Sequence, residues 1–127
     1  MDCHNDRIGV RNKMGNEFLI FSKWVDFLKW LLNTTEKFPK KIRFTITGRI
    51  DNLALDILEY IITCRYYPEM RQTGLKKINL SIEKLRVLLR ICHEMKIISN
   101  RQYHYAFLQI NESGKMIWGW LKEGKSP

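Results

Sequence analysis

Residues 75–92 read LKKINLSIEKLRVLLRIC, and their apolar residues have the cleanest spacing in the chain. The apolar side chains recur at alternating steps of three and four residues, which is the spacing of one face of an α-helix. These predicted core residues are Leu75, Ile78, Ile82, Leu85, Leu89 and Cys92. The pattern predicts an amphipathic helix over residues 69–97.

Two helices are predicted before this stretch. The first covers residues 16–38 and ends before Pro39, because the residue preceding a proline disfavours the helical conformation. The second covers residues 40–67, and Pro68 marks its end or the start of the next helix. Their predicted core residues are Phe21, Trp24, Val25, Leu28, Leu32 and Thr35 in the first, and Ile46, Ile50, Leu53, Ile57, Tyr60 and Cys64 in the second.

A further helix is predicted after Ser99. This serine and Gln102, three residues later, match a capping box, in which each side chain bonds the backbone N–H of the other. The helix is expected to end near Gly124. Its predicted core line is Tyr103, Phe107, Ile110, Gly114, Ile117 and Leu121. Glycine inside a helix costs up to about 1 kcal/mol relative to alanine, so Gly114 is expected at a close approach of two helices.

The predicted architecture is all-α. The connections between the four predicted helices are short, and short connections force neighbouring helices to run antiparallel, which gives an up-down-up-down four-helix bundle. A chain of 127 residues is long enough for one such domain. Residues 1–15 are polar and show no periodicity, so they are predicted to be a flexible N-terminal arm in front of a bundle domain at residues 16–124.

The chain is strongly basic. It has 22 Lys and Arg against 13 Asp and Glu, for a net charge of +9 and a pI near 9.6. Such an excess raises the local concentration of polyanions, so nucleic acid or an anionic membrane is the leading class of partner. Residues 69–97 alone carry seven basic and three acidic residues, which is +4 of the total.

Neither a membrane span nor an oxidising compartment is expected. The apolar run at residues 18–32 is interrupted by Lys23, Asp26 and Lys29, so it lacks the roughly 20 apolar residues that a span requires. The cysteines are three, far apart and without a CxxC pair, and no signal peptide is visible. A reduced cytoplasmic protein is the prediction.

Three of the predicted helices carry a second apolar line away from the core line. One line of this kind can arise by chance, whereas three together predict surface that is buried between subunits, because monomers rarely expose large contiguous apolar patches. The predicted homo-oligomer interface consists of Phe44, Leu55, Ile62, Leu80, Val87, Ile91, Tyr105, Met116 and Trp120.

A polar strip lies between the two apolar lines of the third helix and includes Arg86 and Arg90. These like charges are one turn apart and oppose the helix mildly, and a bound phosphate would relieve the repulsion. Alternatively, Glu83 pairs with Arg86 and Glu94 with Arg90, which makes the strip an ordinary solvated ridge. The basic cluster that includes Arg43 is open to the same two interpretations. Any nucleic-acid contacts are expected to be with the phosphate backbone, with affinity that falls steeply with salt.

No catalytic or metal-binding pattern is present in the sequence. The three histidines are in different segments without HExxH spacing, and GxSxG, P-loop and GxGxxG motifs are missing. Trp24 and Trp118 fit core or interface roles better than a cofactor site. The chain is predicted to be a non-enzyme without metal or cofactor.

Six stretches together carry a resemblance to a known family. They are residues 23–32 KWVDFLKWLL, 37–45 KFPKKIRFT, 48–50 GRI, 85–90 LRVLLR, 99–103 SNRQY and 114–122 GKMIWGWLK. In this order and spacing they resemble the accessory variability determinant (Avd) proteins of diversity-generating retroelements. Those belong to a wider group of four-helix proteins that includes proteins encoded in intervening sequences of 23S ribosomal RNA genes. The resemblance covers residues 17–124.

The resemblance implies a basic, barrel-shaped homopentamer of four-helix bundles that binds the element's reverse transcriptase and its template RNA or cDNA and supports mutagenic retrohoming. The family's charged surfaces would correspond here to Arg43, Arg49, Arg86 and Arg90, and Lys84 completes the predicted nucleic-acid-binding set. The alternative is an interaction scaffold of the ribosomal intervening-sequence type, in which the positive charge only keeps the protein in solution.

Overall fold

Four α-helices make up most of the structure, a computed structural model that describes the backbone of residues 2–123 and the side chains of residues 17–120 and Lys122. The helices are α1 (Asp2–Thr35), α2 (Gly48–Tyr66), α3 (Arg71–Glu94) and α4 (Asn100–Glu123). Lys40–Ile42 form a 3-10 turn and Arg43–Thr47 a short π-helix before α2, and Pro68–Met70 form a 3-10 turn before α3. Residues 2–123 contain no β-strand, so the all-α prediction is confirmed.

The order of contacts along the helices shows that neighbours run antiparallel. Along α1, successive side chains meet α4 in descending order: Glu17 meets Trp120, Lys23 meets Glu112, and Trp30 meets Tyr105. Helix α1 also packs on α2, and α3 packs between α2 and α4, which closes a ring of four helix pairs. The predicted up-down-up-down bundle is the observed arrangement.

The core line predicted for α3 is confirmed at every position. Leu75, Ile78, Ile82, Leu85, Leu89 and Cys92 are all buried. Small side chains extend the same face, since Gly74 and Ser81 are buried beside them. Because α3 contacts two neighbouring helices, a broad face of it is buried. The spacing of its apolar residues is therefore enough to identify that face.

In the other helices the predicted helical spacing of the core residues is right, but the side of each helix that faces the core is partly wrong. The core line of α4 runs through Ala106, Ile110, Ser113, Ile117 and Trp120. Phe107, predicted to lie in the core, is 45% exposed, and the side chain of Leu121 lies outside the described residues. The reason is that small residues at 106 and 113 let α4 approach its neighbours, which turns the larger Phe107 outward.

The first two helices show smaller shifts of the same kind. In α1 the buried side chains include Ile20, Phe27 and Leu31, which the predicted line omitted, whereas Leu32 is exposed. In α2 the predicted Ile50, Ile57 and Cys64 are buried, together with Ala54 and Ile61. Both helices have apolar residues on more than one side, so the spacing alone does not decide which side faces the core.

A close helix approach was predicted at Gly114, but among the described glycines the tightest approach is at Gly74. A Cβ added at Gly114 would meet only Ile82 Cδ1, at 3.8 Å, which is ordinary van der Waals contact. A Cβ added at Gly74 would lie 2.2 Å from the Sγ atom of Cys64. The tight crossing therefore joins α2 to α3, and it depends on Gly74.

Helices α3 and α4 are joined by a turn with well-defined caps. The predicted capping box is present: Gln102 N donates to Ser99 Oγ at 3.1 Å, and Ser99 N donates to Gln102 Oε1 at 2.9 Å. At the end of α3, Ile97 N donates to Cys92 O at 2.8 Å, while Lys96 has a positive φ of 61°. This is a Schellman motif with lysine at the position that usually holds glycine.

The boundaries of the first helices differ from the prediction. Helix α1 begins at Asp2, so the backbone is helical through residues predicted to form a loose arm, where no proline forces a later start. The flexibility of that segment stays a prediction. The predicted second helix is helical from Lys40, but it starts as a 3-10 turn (Lys40–Ile42) and a π-helix (Arg43–Thr47), and regular α-helical geometry begins at Gly48. Gly124, the predicted end of the last helix, lies outside the described residues.

Candidate nucleic-acid interface

The structure brings together only two of the five predicted nucleic-acid-binding residues. Arg49 on α2 and Lys84 on α3 are both exposed and line one groove of about 570 Å³ between the two helices. Val87 and Leu88 are apolar members of the lining of the same groove. Arg43 is also exposed, but it lies in the turn before α2, in a separate cavity of about 410 Å³.

The groove between α2 and α3 has a mixed electrostatic character. Its two cations share the lining with the carboxylates of Asp56 and Glu83 and with the amide of Asn52. A phosphate chain can therefore contact Arg49 and Lys84 from the solvent side, while the acids disfavour its deep entry. This geometry suits contacts with a backbone that passes over the surface.

Arg86 and Arg90 form the ion pairs that the alternative interpretation expects. Arg86 Nη1 lies 3.5 Å from Glu83 Oε2, and Arg90 Nε donates to Glu94 Oε1 at 2.8 Å. The Arg90 side chain is 72% exposed. An exposed ion pair of this kind contributes at most about 1 kcal/mol to stability. Arg90 can therefore exchange the Glu94 carboxylate for a phosphate at little cost.

Arg86 is anchored between α3 and α4 and does not extend freely from the surface. Its Nη2 atom donates to Asn111 Oδ1 at 2.6 Å. Its Nε atom is buried and has no hydrogen-bond partner among the described residues. Arg86 therefore links two helices, which the sequence spacing of α3 could not reveal because its partner is on α4.

A second groove, of about 400 Å³, lies between α3 and α4. The residues that line it include Arg86, Asn111, Lys115 and Trp118. Trp118 is 46% exposed, whereas Trp24 is fully buried. Sequence reasoning did not select Lys115 and Trp118 as a site, although their spacing of three residues on one helix is a signal that could have identified them.

Most of the predicted oligomer interface is exposed on the single chain. Seven of its nine residues are exposed: Phe44, Leu55, Ile62, Leu80, Val87, Ile91 and Tyr105. Phe44 is the extreme case, at 94% exposure. Met116 is partly buried and packs against the core. The burial of these residues against other subunits stays a prediction.

Trp120 was wrongly assigned to that interface. It is 5% exposed, and its indole Nε1 donates to Glu17 Oε1 on α1 at 3.0 Å. The Arg71 guanidinium lies over its ring, 5.4 Å from the centroid. The rotation of α4 turns this side chain into the bundle, where a carboxylate satisfies its N–H group, so it is unavailable to a second subunit.

A family model described as bAvd-like matches residues 18–124. The chain belongs to the bAvd-like family. This confirms the resemblance to Avd proteins over nearly the same range, and the bAvd-like family is one of accessory, non-catalytic proteins. No curated protein matches the chain.

Within the described residues, no group of three or more His, Cys, Asp or Glu side chains is placed to hold a metal ion. Burial raises the pKa of the Cys64 thiol, opposed in part by the Arg71 guanidinium, and burial also raises the pKa of Cys92. None of the helices in the described chain has the length and apolar content to cross a membrane.

Proposed function

We propose that this protein serves a diversity-generating retroelement, where it binds the reverse transcriptase and the template RNA or cDNA and so supports mutagenic retrohoming. The observation that carries the proposal is the bAvd-like match over residues 18–124. The net charge of +9 supports the nucleic-acid part, because a phosphate polymer is attracted to such a surface without sequence-specific contacts.

The first binding surface in this proposal is the groove between α2 and α3. Arg49 and Lys84 are on different helices, so the folded bundle holds them side by side without the entropy cost of ordering a loop. Arg90 and Arg43 contribute further charge outside the groove. Arg86 acts mainly by fixing α3 to α4 through Asn111.

The second part of the proposal is a homo-oligomer, specifically the pentameric barrel that the resemblance implies. Seven exposed apolar side chains support it, and Leu80, Val87 and Ile91 among them are all on α3. Burial of a side chain of this size contributes about 1.5–3 kcal/mol, which favours association. Sedimentation equilibrium is the test, and a single particle of 15.3 kDa at micromolar concentration would contradict this part.

The nucleic-acid part is tested by RNA binding measured over a range of salt concentrations. Arg49→Gln/Lys84→Gln removes the two cations of the α2–α3 groove. Lys29→Gln/Lys37→Gln removes the same charge from exposed positions on and just after α1. Each lost phosphate contact is expected to reduce the slope of log affinity against log salt by about 0.7 for single-stranded RNA.

The groove variant is expected to lose more affinity and more slope than the control variant. Equal losses in the two variants would contradict the assignment of Arg49 and Lys84. No binding by the wild type at low salt would contradict a nucleic-acid role altogether.

The interaction scaffold without a nucleic-acid role is the second candidate. The ion pairs of Arg86 with Glu83 and of Arg90 with Glu94 favour it, because they neutralise the two arginines within the chain. Genomic context separates the two candidates. A reverse-transcriptase gene and a template/variable repeat pair beside this gene support the retroelement role, and co-purification of that reverse transcriptase tests it directly.

A further inference from the structure

One face of α4 combines an exposed tryptophan with two lysines. Asn111, Lys115, Trp118 and Lys122 follow each other at steps of four, three and four residues, so they lie on one side of the helix. Lys115, Trp118 and Lys122 are all exposed. The two lysines are separated along the helix axis by about 10 Å, with the indole between them.

The neighbouring helix presents a polar strip to this face. Asn79, Glu83 and Arg86 of α3 line the same groove as Asn111, Lys115 and Trp118. The hydrogen bond from Arg86 Nη2 to Asn111 Oδ1, at 2.6 Å, joins the two strips. The side of the groove at Trp118 is therefore cationic and aromatic, while Glu83 provides the one carboxylate in its lining.

The Trp118 ring is available for stacking. The aromatic pairs and cation–π contacts found among residues 17–120 involve other residues, including the buried Trp24 and Trp120. The Arg86 guanidinium is already held by Glu83 and Asn111, and so it forms a rigid wall of the groove. An exposed aromatic ring beside rigid polar groups can receive a planar ligand without rearrangement of the helices.

We propose that the α3–α4 groove binds single-stranded nucleic acid, with a base stacked on Trp118 and the flanking phosphates held by Lys115 and Lys122. An aromatic platform between cations is the arrangement by which proteins bind single strands without sequence preference, since every base has a π-face. A duplex keeps its bases stacked inside and cannot make this contact. The inference rests on the proposed nucleic-acid function and adds to it a strand preference and a site.

The test uses Trp118→Leu, which removes the ring and keeps an apolar side chain. Phe107→Leu is the matched control, because Phe107 is another exposed aromatic residue of α4 and does not line the groove. Circular dichroism first establishes that both variants retain the wild-type helix content and melting temperature. Binding is then measured with oligouridylate and with an RNA duplex of equal length.

Trp118→Leu is expected to weaken oligouridylate binding by about 5- to 150-fold, since stacking of one base contributes about 1–3 kcal/mol. Duplex binding and the Phe107→Leu control are expected to stay within about twofold of wild type. Quenching of tryptophan fluorescence by oligouridylate should also decrease strongly in Trp118→Leu, because Trp24 and Trp120 are buried and the partly buried Trp30 packs against Phe27 and Tyr105.

Wild-type affinity for oligouridylate in Trp118→Leu would overturn the site and leave the proposed function standing. Equal losses for single strand and duplex would overturn the stacking mechanism. A loss of reverse-transcriptase binding with unchanged RNA binding would show that the groove is a protein-docking surface instead. If wild type binds neither RNA, the proposed function itself fails, and the Trp118 site fails with it.

Discussion

The crossing of α2 and α3 at Gly74 offers a sharp test of how the bundle is held together. The Cβ of an alanine at this position would lie 2.2 Å from Cys64 Sγ and 4.0 Å from Cys64 Cβ. Cys64 is fully buried, so its sulfur has no solvent-filled space into which it could rotate. Gly74→Ala therefore requires a backbone shift between the two helices.

The expected magnitude follows from two opposing effects. Overpacking of a close-packed interior costs about 1–3 kcal/mol. Alanine in place of glycine inside a helix returns up to about 1 kcal/mol through its higher helix propensity. The new Cβ would lie far inside van der Waals contact with Cys64 Sγ, so the upper part of the overpacking cost, about 2–3 kcal/mol, applies. Gly74→Ala is therefore expected to lower the free energy of unfolding by about 1–2 kcal/mol.

Removal of the sulfur should reverse this loss. Cys64→Ala by itself leaves a small void and is expected to cost about 1 kcal/mol. In Cys64→Ala/Gly74→Ala the nearest atom of residue 64 to the new methyl group is the Cβ at 4.0 Å, which is an ordinary contact. The double variant is expected to be more stable than Gly74→Ala alone, with a coupling energy of about 1–3 kcal/mol.

The assay is urea unfolding of the four proteins, followed by far-ultraviolet circular dichroism at one protein concentration, since oligomerisation makes stability depend on concentration. If the two single substitutions add without coupling, the contact between residues 64 and 74 does not limit the approach of the helices. A Gly74→Ala protein as stable as wild type would contradict a limiting contact at this crossing in the same way.

Three further predictions concern single residues. Lys96 has a φ of 61°, so Lys96→Gly is expected to raise the free energy of unfolding by about 1 kcal/mol, and a lower melting temperature would contradict this. Burial raises the pKa of Asp51, although the hydrogen bond from Thr35 opposes the shift. A carboxyl group whose pKa is higher in the folded protein destabilises the fold as the pH rises through that pKa, so Asp51→Asn should be more stable than wild type at neutral pH. This difference in stability should vanish below about pH 3.9. Urea unfolding over a pH series measures the difference, and a difference that grows in acid would contradict the prediction. Trp24→Phe removes the 2.9 Å hydrogen bond in the core from the indole Nε1 to Ala54 O. The substitution should lower the free energy of unfolding, measured with denaturant, by about 2–4 kcal/mol. A loss under about 0.5 kcal/mol would contradict the role of this hydrogen bond.

The candidate site was only partly accessible to sequence reasoning. The basic character of residues 69–97 and the exposure of Arg49, Lys84 and Arg90 follow from composition and helical spacing. That Arg49 and Lys84 line one groove could not be predicted, because the facing positions of two helices depend on their register. Trp118 was missed because an exposed and a buried tryptophan look the same in a helix with apolar residues on two sides.

Local signals determined a large part of this protein. The number of helices, the core face of α3 and the capping box at Ser99 all depend on residues close together in the chain. Backbone geometry sets the period of a helix and the hydrogen bonds of its first turn, so these features need no knowledge of the neighbouring helices.

Tertiary packing decided the remainder. It turned Trp120 inward and Phe107 outward, tied Arg86 to Asn111, and placed the tight crossing at Gly74 and not at Gly114. A sequence with apolar residues on two faces allows several rotations of each helix. Each rotation of a helix leaves voids or overlaps that depend on the side chains of the other three helices. One rotation is therefore selected only when all four helices fit together at close-packed density.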